Sequence, residues 1–409
     1  MSLIQFPEVD YRNHPGFVNL QAAHRSQIDE IAVQQQIAEI NLGYSKVQQL
    51  GLTNSNELYA VFARTTAAPA KSLIDQLQAE LGDSRLANWM RDSFEKTLEL
   101  MQYNALTRQC GIRTFELQSE ALKTQWQSLR CDGFARFDMH ADLRDELFRL
   151  ALPFRTELQR RADKNPAGRL SMQMPLGSRV VRRLNRYLHS SGMVALTEAD
   201  RGKRVEIDHL SLHYSHSKQT WFQGCYSDID MPTTKLAYLH YDKDPTALKV
   251  LAYLNPVNEG AGAFGFVKGS VHWQRSEFGF ALRNFLAPIF ERHFQTRNAG
   301  EYYRPSFSDP EARRWMLCLP SALHGSSHFG DDIMDGSAMH QQIAAALKPI
   351  TGDTGCVLFD GGRGLHIGGI THSEPRWAIQ LGLRPRKARD AMQKLKHWGR
   401  YARAWLKGL

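Results

Sequence analysis

The sequence has 409 residues, of which 42% are apolar and 23% are charged. This composition is typical of a globular chain with one large or two ordinary domains, and it excludes a disordered, collagenous or coiled-coil protein. The formal net charge is +9, but residues 384–409 carry nine Lys or Arg and one acid, which leaves 42 basic and 41 acidic residues elsewhere. The positive charge is therefore local, and we expect no nucleic-acid partner.

The first third of the chain has the periodicity of helices. From about residue 17 to residue 130, apolar side chains recur at helical spacing, as in Ile28, Ile31, Ile37 and Ile40. No strand-like alternation interrupts them. The pattern predicts a helical N-terminal extension over residues 1–120.

Alternating strands begin at residue 134 and resume near residue 205. Between them, Asp142 has the position of a helix N-cap. The strands predicted from the alternation cover 134–137, 205–214, 235–242, 248–254, 263–267, 354–360 and 377–383. Residues 275–350 have a mostly helical pattern. The sequence thus predicts an antiparallel β core over residues 121–385 with a helical insertion at 275–350.

His240-Tyr241-Asp242 is an HxD pair at the end of a predicted strand. Positions i and i+2 of a strand face the same side, so the imidazole and the carboxylate converge. A distant third histidine would complete the facial triad of two His and one carboxylate that non-haem Fe(II) oxygenases use. A second HxD, His140-Ala141-Asp142, is explained by the predicted helix cap.

Two later histidines are candidates for the third ligand. His366 lies in a glycine-rich segment, and His372 lies four residues before Arg376 with a proline between. Arg376 opens the last predicted strand, where its guanidinium can hold the remote carboxylate of 2-oxoglutarate. We favour His366, because a spacing of ten residues from Arg376 allows both side chains to enter one cavity from neighbouring strands.

The order of these motifs resembles the phytanoyl-CoA dioxygenase-like branch of the Fe(II)/2-oxoglutarate-dependent oxygenases. The resemblance rests on the HxD pair, the Asn- and Gly-rich turn at 255–262, the segment 268–272, and the closing motifs with His366 and Arg376. It covers roughly residues 125–385. Lys268 stands where the family usually has Pro, Val271 separates Ser270 from His272, and the distance from Asp242 to His366 is long for the family.

The resemblance implies a double-stranded β-helix (jelly-roll, cupin-like) core in an α+β protein. It implies Fe(II) bound by His240, Asp242 and His366, with 2-oxoglutarate anchored by Arg376 and O2 as the oxidant. The expected reaction is hydroxylation of an unactivated C–H bond of a small-molecule or metabolite substrate, with succinate and CO2 formed. Asp242 favours hydroxylation over halogenation, because halogenating relatives have a small residue there; desaturation and ring closure stay open.

Residues 386–409 are predicted to form a basic amphipathic C-terminal helix. It can dock on the β core, which we favour, or contact an anionic membrane or a lipid- or sugar-linked substrate. His209, His213 and His216 lie close together in the sequence. They are either surface residues of a strand or residues that line a pocket. His324 and His328 are interpreted as loop residues, and Asp331, Asp332 and Asp335 as a helix start.

Five scattered cysteines without a CxxC pair argue against a disulfide framework. The sequence begins without the basic and apolar regions of a signal peptide, and no apolar run reaches 18 residues. These features predict a cytoplasmic protein, and none of them indicates an oligomeric state. Two other functions stay open: a non-catalytic cupin-like binding module that uses the basic tail, and a zinc or manganese enzyme on a related barrel.

Overall fold

The computed structural model describes residues 9, 11–23, 28–50, 55–80, 84–109, 116–222, 226–242, 246–273, 278–279, 282, 310–323, 330–352 and 355–386. The chain divides into two units. The first unit comprises Met1–Ile112, Gln223–His240 and Trp273–His340, and the second comprises Arg113–Phe222, Tyr241–His272 and Gln341–Leu409. The predicted division into residues 1–120, 121–385 and 386–409 stays a prediction.

The helices follow the predicted apolar period. They are α1 Glu30–Gln49, α2 Ser55–Phe62, α3 Ala68–Glu80, α4 Ser84–Gln109, α5 Glu120–Asp132, α6 Ala141–Leu150, α7 Leu152–Lys164, α8 Arg179–Ser190, α9 Met193–Arg201, α10 Pro310–Met316 and α11 Ala338–Ala346. A π-helical turn, Ala63–Ala67, joins α2 to α3. Helix α1 begins after Asp29, whose side chain accepts hydrogen bonds from the amides of Ile31 and Ala32. The helical character predicted for residues 17–130 is confirmed by α1 to α5, whereas the described residues 17–23 and 116–119 are not helical.

Apolar side chains from α1 to α4 form the core of the first unit. Residues from later segments, among them Tyr226, Phe278 and Met316, complete this core. Burial of each such large apolar side chain contributes roughly 1.5–3 kcal/mol, so the helices are held by packing on one another.

All nine described strands pair in antiparallel fashion. They are β1 Phe134–Asp138, β2 Leu170–Gln173, β3 Val205–Ser215, β4 Leu248–Tyr253, β5 Phe264–Val267, β6 Leu347–Ile350, β7 Gly355–Phe359, β8 His366–Ile367 and β9 Arg376–Pro385. One sheet has the order β1-β7-β4-β9-β3-β2, and a second has the order β6-β5-β8. The chain is therefore a mixed α+β protein with two antiparallel sheets. The described strands do not close into a barrel, so the double-stranded β-helix stays a prediction.

The six-stranded sheet buries both of its faces. One face carries Leu212, Val250, Leu358 and Ile379 and packs on apolar side chains of α5–α9. On the other face, Tyr253, Phe359 and Ala378 share a cluster with Phe264 and Phe266 of the three-stranded sheet. The second face of the six-stranded sheet therefore packs against the three-stranded sheet.

The structure adds detail to the predicted strands and corrects one of them. The predicted strand 235–242 is a series of turns, because Ala237 and Leu239 donate their amides back to Thr234 and Leu236. Strands β4 and β5 are consecutive in the chain but belong to different sheets. The predicted helical insertion ends in strand β6, which pairs with β5 along its length. The apolar alternation in 205–214 changes phase once, between Ile207 and Leu210, and the pairing of β3 with β9 has a register shift at the same place.

Asp142 is not the N-cap of α6. The helix begins at Ala141, the capping position is His140 without a side-chain cap bond, and Asp142 lies in the first turn. A carboxylate in that position still stabilises the helix through its dipole.

The structure also bears on the predictions about membrane spans, cysteines and the C-terminal segment. Among the residues that the structure describes, no helix is long and apolar enough to cross a membrane. Of the described cysteines, Cys131 and Cys356 are free thiols. The predicted C-terminal helix lies outside the described residues apart from Arg386, and the loop with His324 and His328 lies outside them entirely.

Candidate metal centre

The structure brings together the three residues favoured from the sequence. His240, Asp242 and His366 each offer one ligand atom, and these atoms lie within 4.8 Å of one another. His240 and His366 are 5% and 3% exposed. The unit boundary falls at the peptide bond between His240 and Tyr241. His372 is exposed and does not belong to this group.

Backbone carbonyls fix the tautomers of both histidines. Nδ1 of His240 lies 2.8 Å from the Tyr238 carbonyl oxygen, and Nδ1 of His366 lies 3.3 Å from that of Gly364. A carbonyl only accepts, so each Nδ1 carries a proton and each Nε2 is the nitrogen left to bind a metal. Burial lowers the pKa of His366, although the charge of Asp242 opposes this shift. The lowered pKa favours the neutral form of His366, which is the form that ligates metals.

One turn after β7 supports two of the three residues. The amide of Asp242 donates to the carbonyl of Gly361 over 2.6 Å, while Gly364, whose carbonyl meets His366, donates its amide to the carbonyl of Asp360 over 2.9 Å. The turn 360–364 therefore sets the relative position of the carboxylate and the imidazole.

A buried ion cluster holds that turn in place. The Asp360 carboxylate accepts from Arg201 over 3.0 Å and from Nε of Arg363 over 2.6 Å, and it also accepts the Arg363 amide. Asp200 pairs with Arg201 over 2.8 Å. Burial raises the pKa of Asp360, but the charges and hydrogen bonds of the two arginines outweigh burial and bring it down to about 2. The carboxylate is ionised at neutral pH and ties α9 to the turn.

Phenylalanine rings surround the His366 imidazole. Phe266 stacks parallel to it at a centroid distance of 6.3 Å, and Phe264 and Phe359 approach at 5.7 Å and 5.2 Å. These rings restrict rotation of the imidazole and exclude water from its faces, which preorganises the ligand.

Within the described part of the chain, Lys249 is a cation in direct contact with a candidate ligand. Its Nζ lies 2.5 Å from Oδ1 of Asp242, while Oδ2 of the same carboxylate lies 3.6 Å from Nε2 of His366. The two oxygens of Asp242 therefore face different partners.

Arg376 begins β9 on the same sheet face as Ala378, because alternate strand residues share a face. It donates to the Gly262 carbonyl and, over 3.1 Å, to the hydroxyl of Ser215. Its Nε has no hydrogen-bond partner, and no described carboxylate pairs with it. Burial lowers the pKa of Arg376. A buried guanidinium without a counter-ion is costly, so this position suits an anionic ligand.

His213 also faces the space between the sheets, two residues before Ser215. Its Nε2 lies 2.8 Å from the Ser211 hydroxyl. Burial, and then the charges of Arg169, Arg376, Lys249 and His209, lower the pKa of His213 to about 3. His213 is thus a neutral polar side chain on the face that carries Lys249 and Arg376.

The ring of His209 lies against Gly382, the residue opposite Lys249 in the sheet, and its Nδ1 is 3.3 Å from Oδ2 of Asp208. Burial lowers the pKa of His216. In the first unit, Gly330–Asp332 is a short 3-10 helix, and Asp332 accepts hydrogen bonds from the hydroxyls of Tyr11 and Tyr226. The helix start predicted at Asp331 and Asp332 is thus confirmed as a 3-10 turn.

Sequence reasoning missed Lys249, Gly361 and the Asp360 cluster. A signal existed for Lys249, since it is a charged residue in the otherwise apolar strand Leu248–Tyr253. Asp360 is a charge that directly follows the buried strand β7, but its two arginine partners are distant in sequence.

We expect Gly361→Ala to weaken metal binding while leaving the fold intact. A Cβ at this position would lie 2.0 Å from Oδ2 of Asp242 and 3.1 Å from Cε1 of His366. The carboxylate end can rotate away at little cost in stability, but that rotation removes a ligand. The affinity for Mn²⁺, measured by calorimetry, is expected to fall roughly 10- to 100-fold.

Gly260→Ala is the matched control. Its new Cβ would approach the Ser373 hydroxyl at 2.8 Å, which is also the end of a movable side chain, away from the three ligands. Equal Mn²⁺ affinity in Gly361→Ala and the wild type would contradict the proposed position of the site.

Comparisons with known proteins gave structural similarity only. No protein-family model matches the chain, and no curated protein matches it. The chain is similar to the non-heme alpha ketoglutarate dependent epimerase SnoN from nogalamycin biosynthesis, with 17% identity, a TM-score of 0.35, and coverage of 67% of this chain and 88% of SnoN. It is also similar to AviO1 from Streptomyces viridochromogenes Tue57, with 12% identity, a TM-score of 0.36, and coverage of 67% and 100%.

A third solved structure is EvdO2 from Micromonospora carbonacea var. aurantiaca complexed with 2-oxoglutarate. It has 14% identity and a TM-score of 0.34, and the match covers 68% of this chain and 96% of EvdO2. What this chain does must therefore be argued from its own residues.

Proposed function

We propose that this protein is a non-haem Fe(II)- and 2-oxoglutarate-dependent dioxygenase that hydroxylates an unactivated C–H bond of a small-molecule substrate. The observation that carries the proposal is the largely buried group of two imidazoles and one carboxylate with ligand atoms within 4.8 Å of one another. Two nitrogens and one oxygen on one side of a cation leave further coordination positions open, and this donor set is typical of such oxygenases.

The residues fit a metal ion in two further respects. The Nε2 atoms of His240 and His366 are left to bind a metal because each Nδ1 is engaged with a carbonyl. At Gly361, even a methyl group would reach the Asp242 carboxylate, so the chain leaves space beside the ligands where a side chain would intrude. We propose His240, Asp242 and His366 as the iron ligands.

Arg376 is proposed to hold the remote carboxylate of 2-oxoglutarate. A guanidinium has five N–H donors, and the Gly262 carbonyl and the Ser215 hydroxyl engage two of them. The remaining donors, the burial and the lack of a described counter-ion support an anion at this position.

The chain's own residues would position the reactants. When bound, the iron supplies dioxygen activation coupled to decarboxylation of 2-oxoglutarate. Arg376 would orient that co-substrate by its far end, His213 adds a neutral polar contact on the same face, and the phenylalanines around His366 exclude water. Exclusion of water protects a strong oxidant from side reactions.

An anaerobic titration tests the proposal. We expect Fe(II) and 2-oxoglutarate together to give a visible charge-transfer band, and His240→Ala to abolish it. Arg376→Met is expected to keep metal binding but to weaken 2-oxoglutarate roughly 10- to 100-fold, because it loses charge-assisted hydrogen bonds. Arg384→Met, on the same strand, is the control for loss of a positive charge and should match the wild type.

The absence of the band from the folded wild-type protein would overturn the oxygenase proposal. Tight metal binding without any response to 2-oxoglutarate would instead favour a zinc or manganese enzyme. Absence of metal binding would leave the non-catalytic binding module.

A further inference from the structure

The ion pair between Lys249 and Asp242 links a cation directly to a proposed metal ligand. Its Nζ–Oδ1 distance is 2.5 Å, and both side chains are largely buried, with 18% and 12% exposed. Lys249 lies on β4, opposite Gly382 of β9, in a register fixed by the pairing of six residues. The ammonium is therefore held at the carboxylate by the sheet.

We propose that Lys249 is a built-in counter-ion of Asp242 that competes with the metal for this carboxylate and favours an anionic ligand once the metal is present. The inference rests on the proposed metal site. It makes Lys249 a positioning residue that sets the charge of the site.

The charges explain why the effect has opposite signs for cations and anions. With Lys249, the three proposed ligands and the ammonium sum to zero, so a divalent cation enters a neutral site beside a positive charge. Without Lys249 the site carries one negative charge. A charge within about 4–6 Å changes the proton affinity of a carboxylate roughly 10- to 1,000-fold, and a metal ion experiences the same field.

For an anionic ligand, the charge of Lys249 has the opposite effect on affinity. Metal, Asp242 and Lys249 together carry two positive charges, which a dicarboxylate such as 2-oxoglutarate neutralises. Lys249 therefore lowers the affinity for the metal alone and raises the affinity of the metal-loaded protein for a dianion. Coulombic interactions of this kind are strong because the pair is largely buried.

The test compares Lys249→Met with the wild type in two titrations. Calorimetry with Mn²⁺ alone is expected to show a metal affinity roughly tenfold or more higher in the variant. Titration of the Mn²⁺-loaded protein with 2-oxoglutarate is expected to show an affinity roughly tenfold lower. General damage to the site would weaken both ligands, so the opposite signs identify the charge effect.

Two further variants serve as controls. Lys249→Arg keeps the charge and should bind Mn²⁺ like the wild type. Lys268→Met removes a lysine whose Nζ lies 3.3 Å from Asp132, and it should also bind like the wild type. An unchanged or lower Mn²⁺ affinity in Lys249→Met would overturn the inference.

The variant also leaves Asp242 without its cation, which lowers stability before metal is added. Thermal unfolding with and without Mn²⁺ covers this case, because a ligand that binds the native state stabilises it. We expect a larger metal-induced rise in Tm for Lys249→Met than for the wild type, and an equal or smaller rise would contradict the proposal.

The two proposals fail in distinguishable ways. If 2-oxoglutarate does not bind the wild type, the oxygenase proposal fails, while the Mn²⁺ titration still decides the role of Lys249. If 2-oxoglutarate binds but the Mn²⁺ affinity does not rise in Lys249→Met, only the inference about Lys249 fails.

Discussion

His366→Ala is expected to abolish tight binding of a divalent metal, and His372→Ala is expected to leave it unchanged. His366 is buried with its Nε2 lying 3.6 Å from Oδ2 of Asp242, whereas His372 is exposed six residues later. Removal of a ligand should cost more than the roughly 10- to 100-fold that loss of a group hydrogen-bonded to a ligand costs.

The pair of variants is matched, since each removes one imidazole from the same segment of the chain. Equilibrium dialysis with Mn²⁺ and metal analysis of the retained protein measure the affinity, and circular dichroism checks that both variants are folded. Retained affinity in His366→Ala together with loss in His372→Ala would reverse the assignment of the third ligand.

Asp360→Asn is expected to lower the free energy of unfolding by about 3 kcal/mol. Breaking a buried ion pair by removing one partner costs roughly 3–5 kcal/mol, because the other charge stays buried. The lower end applies here, because Arg201 keeps Asp200 as a partner and Arg363 is 37% exposed. Urea denaturation measures the change. Asp75→Asn, which breaks an exposed pair with Lys71, is the control and should cost about 1 kcal/mol or less.

The same residue predicts a pH dependence. The pKa of Asp360 is lowered from its ordinary value of 3.8 to about 2, so the unfolded chain binds this proton more readily than the native protein. The stabilisation is therefore present above about pH 4 and is lost as the pH falls from about 4 to about 2. The stability difference between the wild type and Asp360→Asn should shrink over that range, and a constant difference would show that Asp360 is not the titrating group.

The sequence predicted most of the elements around the candidate site. The apolar runs of β4, β7 and β9, which are buried on both faces, and the helical period of α1 to α4, which bury one face, could both be predicted from the sequence. The bulge near residue 208 also left a visible phase slip. The strand predicted at 235–242 was wrong. Its apolar residues are buried within a series of turns, and alternation of apolar and polar residues does not distinguish such turns from a strand.

The residues of the candidate site could also be predicted from the sequence, but the residues that hold them in position could not. The HxD pair and the choice of His366 followed from spacing, and the structure brings all three side chains together without a regular strand at His240. The partners of Asp360 lie in α9 and in the following turn, and the partner of Asp242 lies on β4.

By itself, the sequence determined where apolar faces occur and which side chains have the chemistry to hold a metal and an anion. Only the tertiary structure decided that Asp242 and His366, 124 residues apart, share the turn 360–364, and that Lys249 occupies the other oxygen of Asp242. The reason is that local periodicity records burial, whereas contacts between distant residues depend on strand register. That register is set by the packing of all the strands at once.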